Sequence, residues 1–195
     1  MVVDTSTVSP ARSRALGAKL AEKGVHFLVV GRDEAVLERV RPYFELLGKR
    51  IYYCGGAGLG LHAKLTQNLI LSNLLQAFNE GLVLSTKAGA DPELMLDILN
   101  NSAARSAVIA FKAPFIFARD FRTNFSVKWM HKDVGLALES GSQLQVPLPL
   151  TAIAHQLFQA AVSSGFADED FSSAIKVLEA WAGVEVKSRQ PVAGS

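Results

Sequence analysis

The sequence predicts a small α/β segment followed by an all-α domain. Strand-like runs alternate with amphipathic helices over residues 2–54, a glycine cluster occupies 55–60, and helical patterns then follow one another to about residue 181. Alternating strands and helices imply a parallel sheet, whereas an unbroken succession of helices implies a bundle.

Val2-Val3 reads as a strand that ends in the polar run Asp4-Thr5-Ser6-Thr7. Ser9 is a plausible N-cap, Pro10 sits at the first helical position, and Gly24 should stop that helix near residue 23. Residues 25–30 form the next apolar strand. Residues 33–47 read as a helix with Ala35, Val36, Val40, Phe44 and Leu47 facing inward and Gly48 as its stop, and 51–53 as a third strand. Past the glycines, residues 61–88 predict a long helix, apolar on most of its circumference and so surrounded by others. Asp91-Pro92 restarts a helix through Leu99. Further helices are expected at 104–118 (broken or kinked near Pro114), 127–142, 149–163 and 169–181. The domains are therefore expected at 1–60 and 61–187, with 188–195 a disordered polar tail.

Composition narrows the function. The 195 residues are 49% hydrophobic and 19% charged, with a net charge of +2 and no basic stripe, so nucleic acid is not an expected partner. Cys54 is the single cysteine, which precludes an intramolecular disulfide. The N-terminus shows no signal-peptide pattern. The apolar stretch 69–84 is interrupted by Ser72, Asn73, Gln76, Asn79 and Glu80, which argues against a membrane span. A soluble cytoplasmic protein is expected.

The segment Gly58-Leu59-Gly60-Leu61-His62-Ala63-Lys64-Leu65-Thr66-Gln67-Asn68 carries the chemistry. Its glycines permit a tight turn into a helix, and Lys64 is expected in the first turn, where the macrodipole disfavours a cation. Asn68, four residues on, shares its face. A lysine between apolar Leu61 and Leu65 suits a general acid/base acting on a carbonyl or alcohol oxygen, with Asn68 orienting it or bonding the substrate hydroxyl. By spacing alone, a solvent-directed lysine and a buried, satisfied amide are the commoner outcome. Likewise Ser6 and Thr7 could end a strand, and Lys132-Asp133 could be a solvated helix face. His26, His62, His131 and His155 lack metal-ligand spacing, so no metal is expected. Phe115, Phe117, Phe121 and Phe125 read as packing aromatics.

Three ordered motifs resemble the β-hydroxyacid dehydrogenase family, which includes 3-hydroxyisobutyrate dehydrogenase and tartronate semialdehyde reductase. Gly58, Gly60, Lys64 and Asn68 match its G-x-G-x-x-x-K-x-x-x-N, Asp4 to Pro10 is similar to D-x-S-T-x-x-P, and Lys132-Asp133 resembles the K-D-x-x-L-A helix. The resemblance implies a Rossmann-type α/β remnant followed by an all-α domain of the 6-phosphogluconate dehydrogenase C-terminal-like type. It also implies hydride transfer between NAD or NADP and a small hydroxyacid or semialdehyde. Lys64 would be the general acid/base, Ser6 and Asn68 would bind substrate, and Thr7 and Lys132 the cofactor. Family members use the helical domain for subunit contacts, so a homodimer or larger assembly is expected.

Two family features are absent. No G-x-G-x-x-G precedes Asp4, and Gly55 to Gly60 follow the last strand rather than the first. After Leu28 the chain passes directly into Val29-Val30-Gly31-Arg32-Asp33-Glu34, without the D-A-P-V-S-G-G loop that holds the substrate carboxylate. Relative to the family the sequence reads as truncated at the N-terminus with an internal deletion. Weak cofactor binding follows as an expectation, and the competing class is a non-catalytic remnant whose helical domain serves oligomerisation.

Overall fold

The structure, a computed structural model, describes residues 2–23, 27–29, 34–46 and 48–188, with backbone alone for 2, 3 and 27–29. The chain divides into two compact units. One holds the residues up to Asn68 together with Gly135–Pro147, and the other Leu69–Val134 together with the chain from Leu148 onward.

The first unit opens with β1 (Val2–Asp4), α1 (Pro10–Glu22) and β2 (Phe27–Val29). The strands pair in parallel, Val2 with Phe27, Val3 with Leu28 and Asp4 with Val29. Parallel strands need a crossover, and α1 lies in that connection. Ser9 takes the extended N-cap conformation and Pro10 follows at N1, as the sequence predicts. The Ser9 hydroxyl does not cap, however; it donates to Glu139 Oε1 at 3.1 Å.

Next comes α2 (Glu34–Glu45), whose inner face is Val36, Leu37 and Val40, packed with Phe44 and Ile51. Ala35, expected inward, is exposed, because the stripe is centred on Leu37 and the small Ala35 side chain falls outside it. The third expected strand at 51–53 does not form: residues 51–55 are irregular, and among the described residues the sheet has two strands. Strand propensity needs a neighbour with free backbone groups, and this run has none paired to it. Gly24 as a helix stop, the ends of the 25–30 strand, Leu47 and residues 189–195 lie outside the described residues.

The long helix α3 (Leu59–Lys87) starts two residues earlier than expected and contributes to both units. Its continuity is why the compact units do not divide at residue 60. The second unit adds α4 (Pro92–Asn100), α5 (Ala107–Phe117), α6 (Val127–Gln143, its last part counted with the first unit) and α7 (Pro149–Ala161). A π-turn (Val162–Phe166), a 3-10 turn (Phe171–Ala174) and α8 (Ile175–Ala182) complete it. Asp91 caps α4 by accepting from the amides of Glu93 (2.8 Å) and Leu94 (3.1 Å). α5 runs through Pro114 without a break.

Leu75, Phe78, Leu82, Ile116, Met130 and Phe158 anchor one continuous core. Phe117 and Phe121 belong to it, Phe125 packs against it, and Phe115 meets Phe111 edge-on at 5.6 Å. Beneath lies a buried ion pair, Lys112 Nζ to Asp170 Oδ2 at 2.8 Å, with Asp170 also accepting from the Ser172 amide and hydroxyl and the Asn124 amide. Ser188, expected in the loose tail, is tied down: its amide donates to Phe117 O and its hydroxyl to Glu93 Oε1 at 2.8 Å. Among the described residues no helix is long and apolar enough to cross a membrane.

Candidate active site

The entry into α3 is shaped by Gly55 (φ +89°) and Gly58 (φ +88°), left-handed conformations that strain any residue with a Cβ. At Gly58 a Cβ would also meet the Arg14 side chain at 2.9 Å. The turn places Leu59 first in the helix, so Lys64 falls in the second turn, not the first. The macrodipole fades within one turn, so side chains rather than the helix end define the surroundings of this lysine. Its ammonium donates to Asn68 Oδ1 at 3.0 Å and to Gln67 Oε1 at 3.1 Å. Asn68 is 3% exposed, whereas Lys64 and Gln67 are exposed. The buried amide of Asn68 thus backs a lysine that is itself exposed.

Lys64 and Gln67 line a cavity of about 890 Å³ within the first unit, walled mostly by apolar groups that include Leu37, Phe44 and Ile51. Thr5, Arg50, Tyr52, Tyr53 and Cys54 also line it. Of the Asp4–Thr7 run it is Thr5 that reaches this cavity. Ser6 is exposed, with its amide donating to Asp4 Oδ1 at 2.9 Å, and Thr7 is half-buried. Lys132 lies in the second unit, its ammonium 2.9 Å from Asp133 Oδ1 and 5.3 Å from the centre of the Trp129 ring. Sequence reasoning missed Thr5 and Gln67. Gln67 was legible as i+3 to Lys64, but Thr5 depended on how the strand end turns.

The same geometry tests the family's dinucleotide. A diphosphate needs glycine-flanked amides at a helix N-terminus after a strand. The β1–α1 connection offers no glycine, Pro10 removes an amide at N1, and Ser9 is engaged by the Glu139 carboxylate. That crossover does not fit a diphosphate. Among the described residues there is also no cluster of three or more histidine, cysteine or carboxylate groups able to hold a metal ion.

Residues 58–178, from the turn glycine onward, match the family described as NAD-binding of NADP-dependent 3-hydroxyisobutyrate dehydrogenase. The chain belongs to the β-hydroxyacid dehydrogenase family. Its cofactor class is NAD or NADP, and its members are oxidoreductases acting on small hydroxyacids.

Among its family relatives, 2-(hydroxymethyl)glutarate dehydrogenase of Eubacterium barkeri is 37% identical over 209 residues, covering 97% of this chain and 69% of the relative. That alignment is longer than the chain, so the relative carries internal residues with no counterpart here, in keeping with the expected internal deletion. The 2-hydroxy-3-oxopropionate reductase of Escherichia coli (strain K12) is 33% identical, with 91% of this chain and 67% of the relative covered. The chain spans 55% of the chloroplastic glyoxylate/succinic semialdehyde reductase 2 of Arabidopsis thaliana, at 30% identity. In structure, the Mycobacterium tuberculosis 3-hydroxyisobutyrate dehydrogenase solved with L-serine superposes with a TM-score of 0.84 at 27% identity, over 90% of this chain and 69% of that one.

Proposed function

We propose that the chain is the lysine-bearing part of an NAD(P)-dependent oxidoreductase that interconverts a small β-hydroxyacid and its semialdehyde. One observation carries the reading: the Lys64 ammonium is held between two amide oxygens on the wall of a cavity. An ammonium has three N–H donors, two of which meet Gln67 and Asn68, leaving one for a ligand oxygen. Lys64 gives a proton to a carbonyl oxygen during reduction and takes it from the hydroxyl during oxidation. Asn68, buried and bonded to Lys64, serves the substrate by fixing that donor. Ser6 is assigned to the substrate and Thr7 and Lys132 to the nicotinamide side, on family resemblance alone. When bound, the nicotinamide supplies or accepts the hydride; no step here is routed through it.

On this reading residues 1–60 are a remnant of the Rossmann fold, supported by the parallel β1–α1–β2 unit, and 61–187 the helical domain. The relatives' names point to three- to six-carbon acids bearing a hydroxymethyl or aldehyde group. In a protein that joins this chain to a glycine-loop dinucleotide unit, Lys64→Ala should lower turnover by about 10²- to 10⁴-fold, the usual contribution of a placed proton donor. A loss below tenfold transfers the proton to another group.

A second reading, an inactive chain whose helices associate, is favoured by a groove of about 380 Å³ flanked by Leu84 and Trp181, which are 73% and 69% exposed. Both readings include a homodimer or larger assembly. Sedimentation of Trp181→Ser should then show a smaller species than the parent chain, and a parent already monomeric at micromolar concentration removes the proposal.

A further inference from the structure

We propose that Gln67 is a carboxylate-binding residue of this cavity, its amide turned by Lys64 so that its NH₂ end serves as the donor. The inference rests on the reading of Lys64 as the group that meets substrate. An ammonium only donates, so the Gln67 amide must offer it the oxygen, and the 3.1 Å contact runs from Lys64 Nζ to Gln67 Oε1. An amide whose oxygen is committed has its two N–H donors at the opposite end. Gln67 lines the cavity together with Lys64, whereas Asn68, the other acceptor, is buried.

Lysine and glutamine therefore present adjacent N–H donors to one space, a cationic one and a neutral one. That set suits an acid carrying a carboxylate close to an alcohol or carbonyl oxygen. It also supplies donors that the absent serine–glycine loop would otherwise provide. Arg50 also lines this wall and can take the carboxylate's second oxygen, while much of the remaining lining is apolar; hydrogen bonds to a charged group exceed neutral ones in strength.

Gln67→Glu separates the two roles of this amide. It keeps an oxygen for Lys64 but replaces the donors with negative charge, whereas Gln67→Met removes both. Calorimetric titration of the full chain with 3-hydroxypropionate, with and without NADP⁺, reads the effect, with 1,3-propanediol as the carboxylate-free control. Each variant should weaken 3-hydroxypropionate by about tenfold; Gln67→Glu, which keeps the oxygen for Lys64, should leave propanediol unchanged, and neither should move the melting temperature, since Gln67 is exposed.

Wild-type affinity in Gln67→Glu, with loss in Gln67→Met, would show an amide that only holds Lys64, and overturns the proposal. So does a parent chain that does not bind 3-hydroxypropionate at tens of millimolar. Lys64→Ala keeps the two levels apart. If it loses the ligand while both Gln67 variants keep it, the Gln67 proposal fails and the lysine reading stands. If it keeps the ligand while the Gln67 variants lose it, the lysine reading fails and Gln67 stands.

Discussion

The two compact units are held together differently. In the second, helices close around one continuous core in which Leu75, Ile116, Phe158 and Ile175 are almost wholly inaccessible, and a buried Lys112–Asp170 pair ties α5 to the 3-10 turn. In the first, the buried apolar residues form separate small clusters, Val36–Leu37–Val40 and Leu61, while Tyr52 and Tyr53 remain exposed beside the cavity. Stability is thus concentrated in the unit that carries less of the proposed chemistry. The lysine acquires its setting from a long helix whose residues are divided between the two units.

The largest test of that contrast is Asp170→Ala. It strips the partner from buried Lys112 and leaves the Ser172 and Asn124 donors unmet, and breaking one side of a buried ion pair costs about 3–5 kcal/mol. A urea midpoint close to that of the parent would show that the pair does not hold the second unit together. The same group sets an acid limit. Burial alone pushes the Asp170 carboxyl upward, but hydrogen bonds from Lys112 and Ser172 outweigh it, and the net direction is downward. A depressed carboxyl gives stability that is full above its unfolded value near 3.8 and is lost as pH falls through the folded one.

Matched truncations sharpen the comparison next. Leu75→Ala, at a fully enclosed position, should cost toward about 5 kcal/mol, and Leu37→Ala, in a cluster free to collapse, toward about 2 kcal/mol. Equal losses would mean that the units are equally well packed. Amide exchange should follow the same order, with α2 exchanging well before α5.

The smallest effect concerns His131 and His155, stacked with ring centres 4.1 Å apart in the second unit. Burial holds both below the ordinary imidazole value, and the neighbouring His131 adds to this for His155. The unfolded chain therefore binds protons first, and stability is full above about pH 6.5 and declines as pH drops through it. His155→Phe should flatten that decline in melting temperature between pH 7.5 and 5.5; an unchanged slope would assign it to other groups.

The helical half was legible because its patterns are long. The helix start at Asp91-Pro92, the stop near Lys87 and the inward Phe117 and Phe121 all follow local rules that a bundle reinforces. The α/β half was less so. Residues 51–53 have the composition of a strand, yet a strand exists only through pairing with a neighbour, which composition does not supply. The buried face of α2 includes Leu37 and leaves out Ala35, since burying the larger side chain removes more apolar area from water.

The sequence by itself determined that Lys64 and Asn68 share a helix face, since a spacing of four residues is geometry internal to the helix. It also determined the family, through residues whose types and spacing need no partner to be read. Only the tertiary structure decided that Lys64 sits in the second turn, that Lys64 and Gln67 face a cavity, and that Thr5 rather than Ser6 or Thr7 meets the same cavity. Those facts depend on where a glycine turn starts the helix and how a strand end bends. Both are settled by contacts between residues distant in the chain, whereas spacing along it sees only near neighbours.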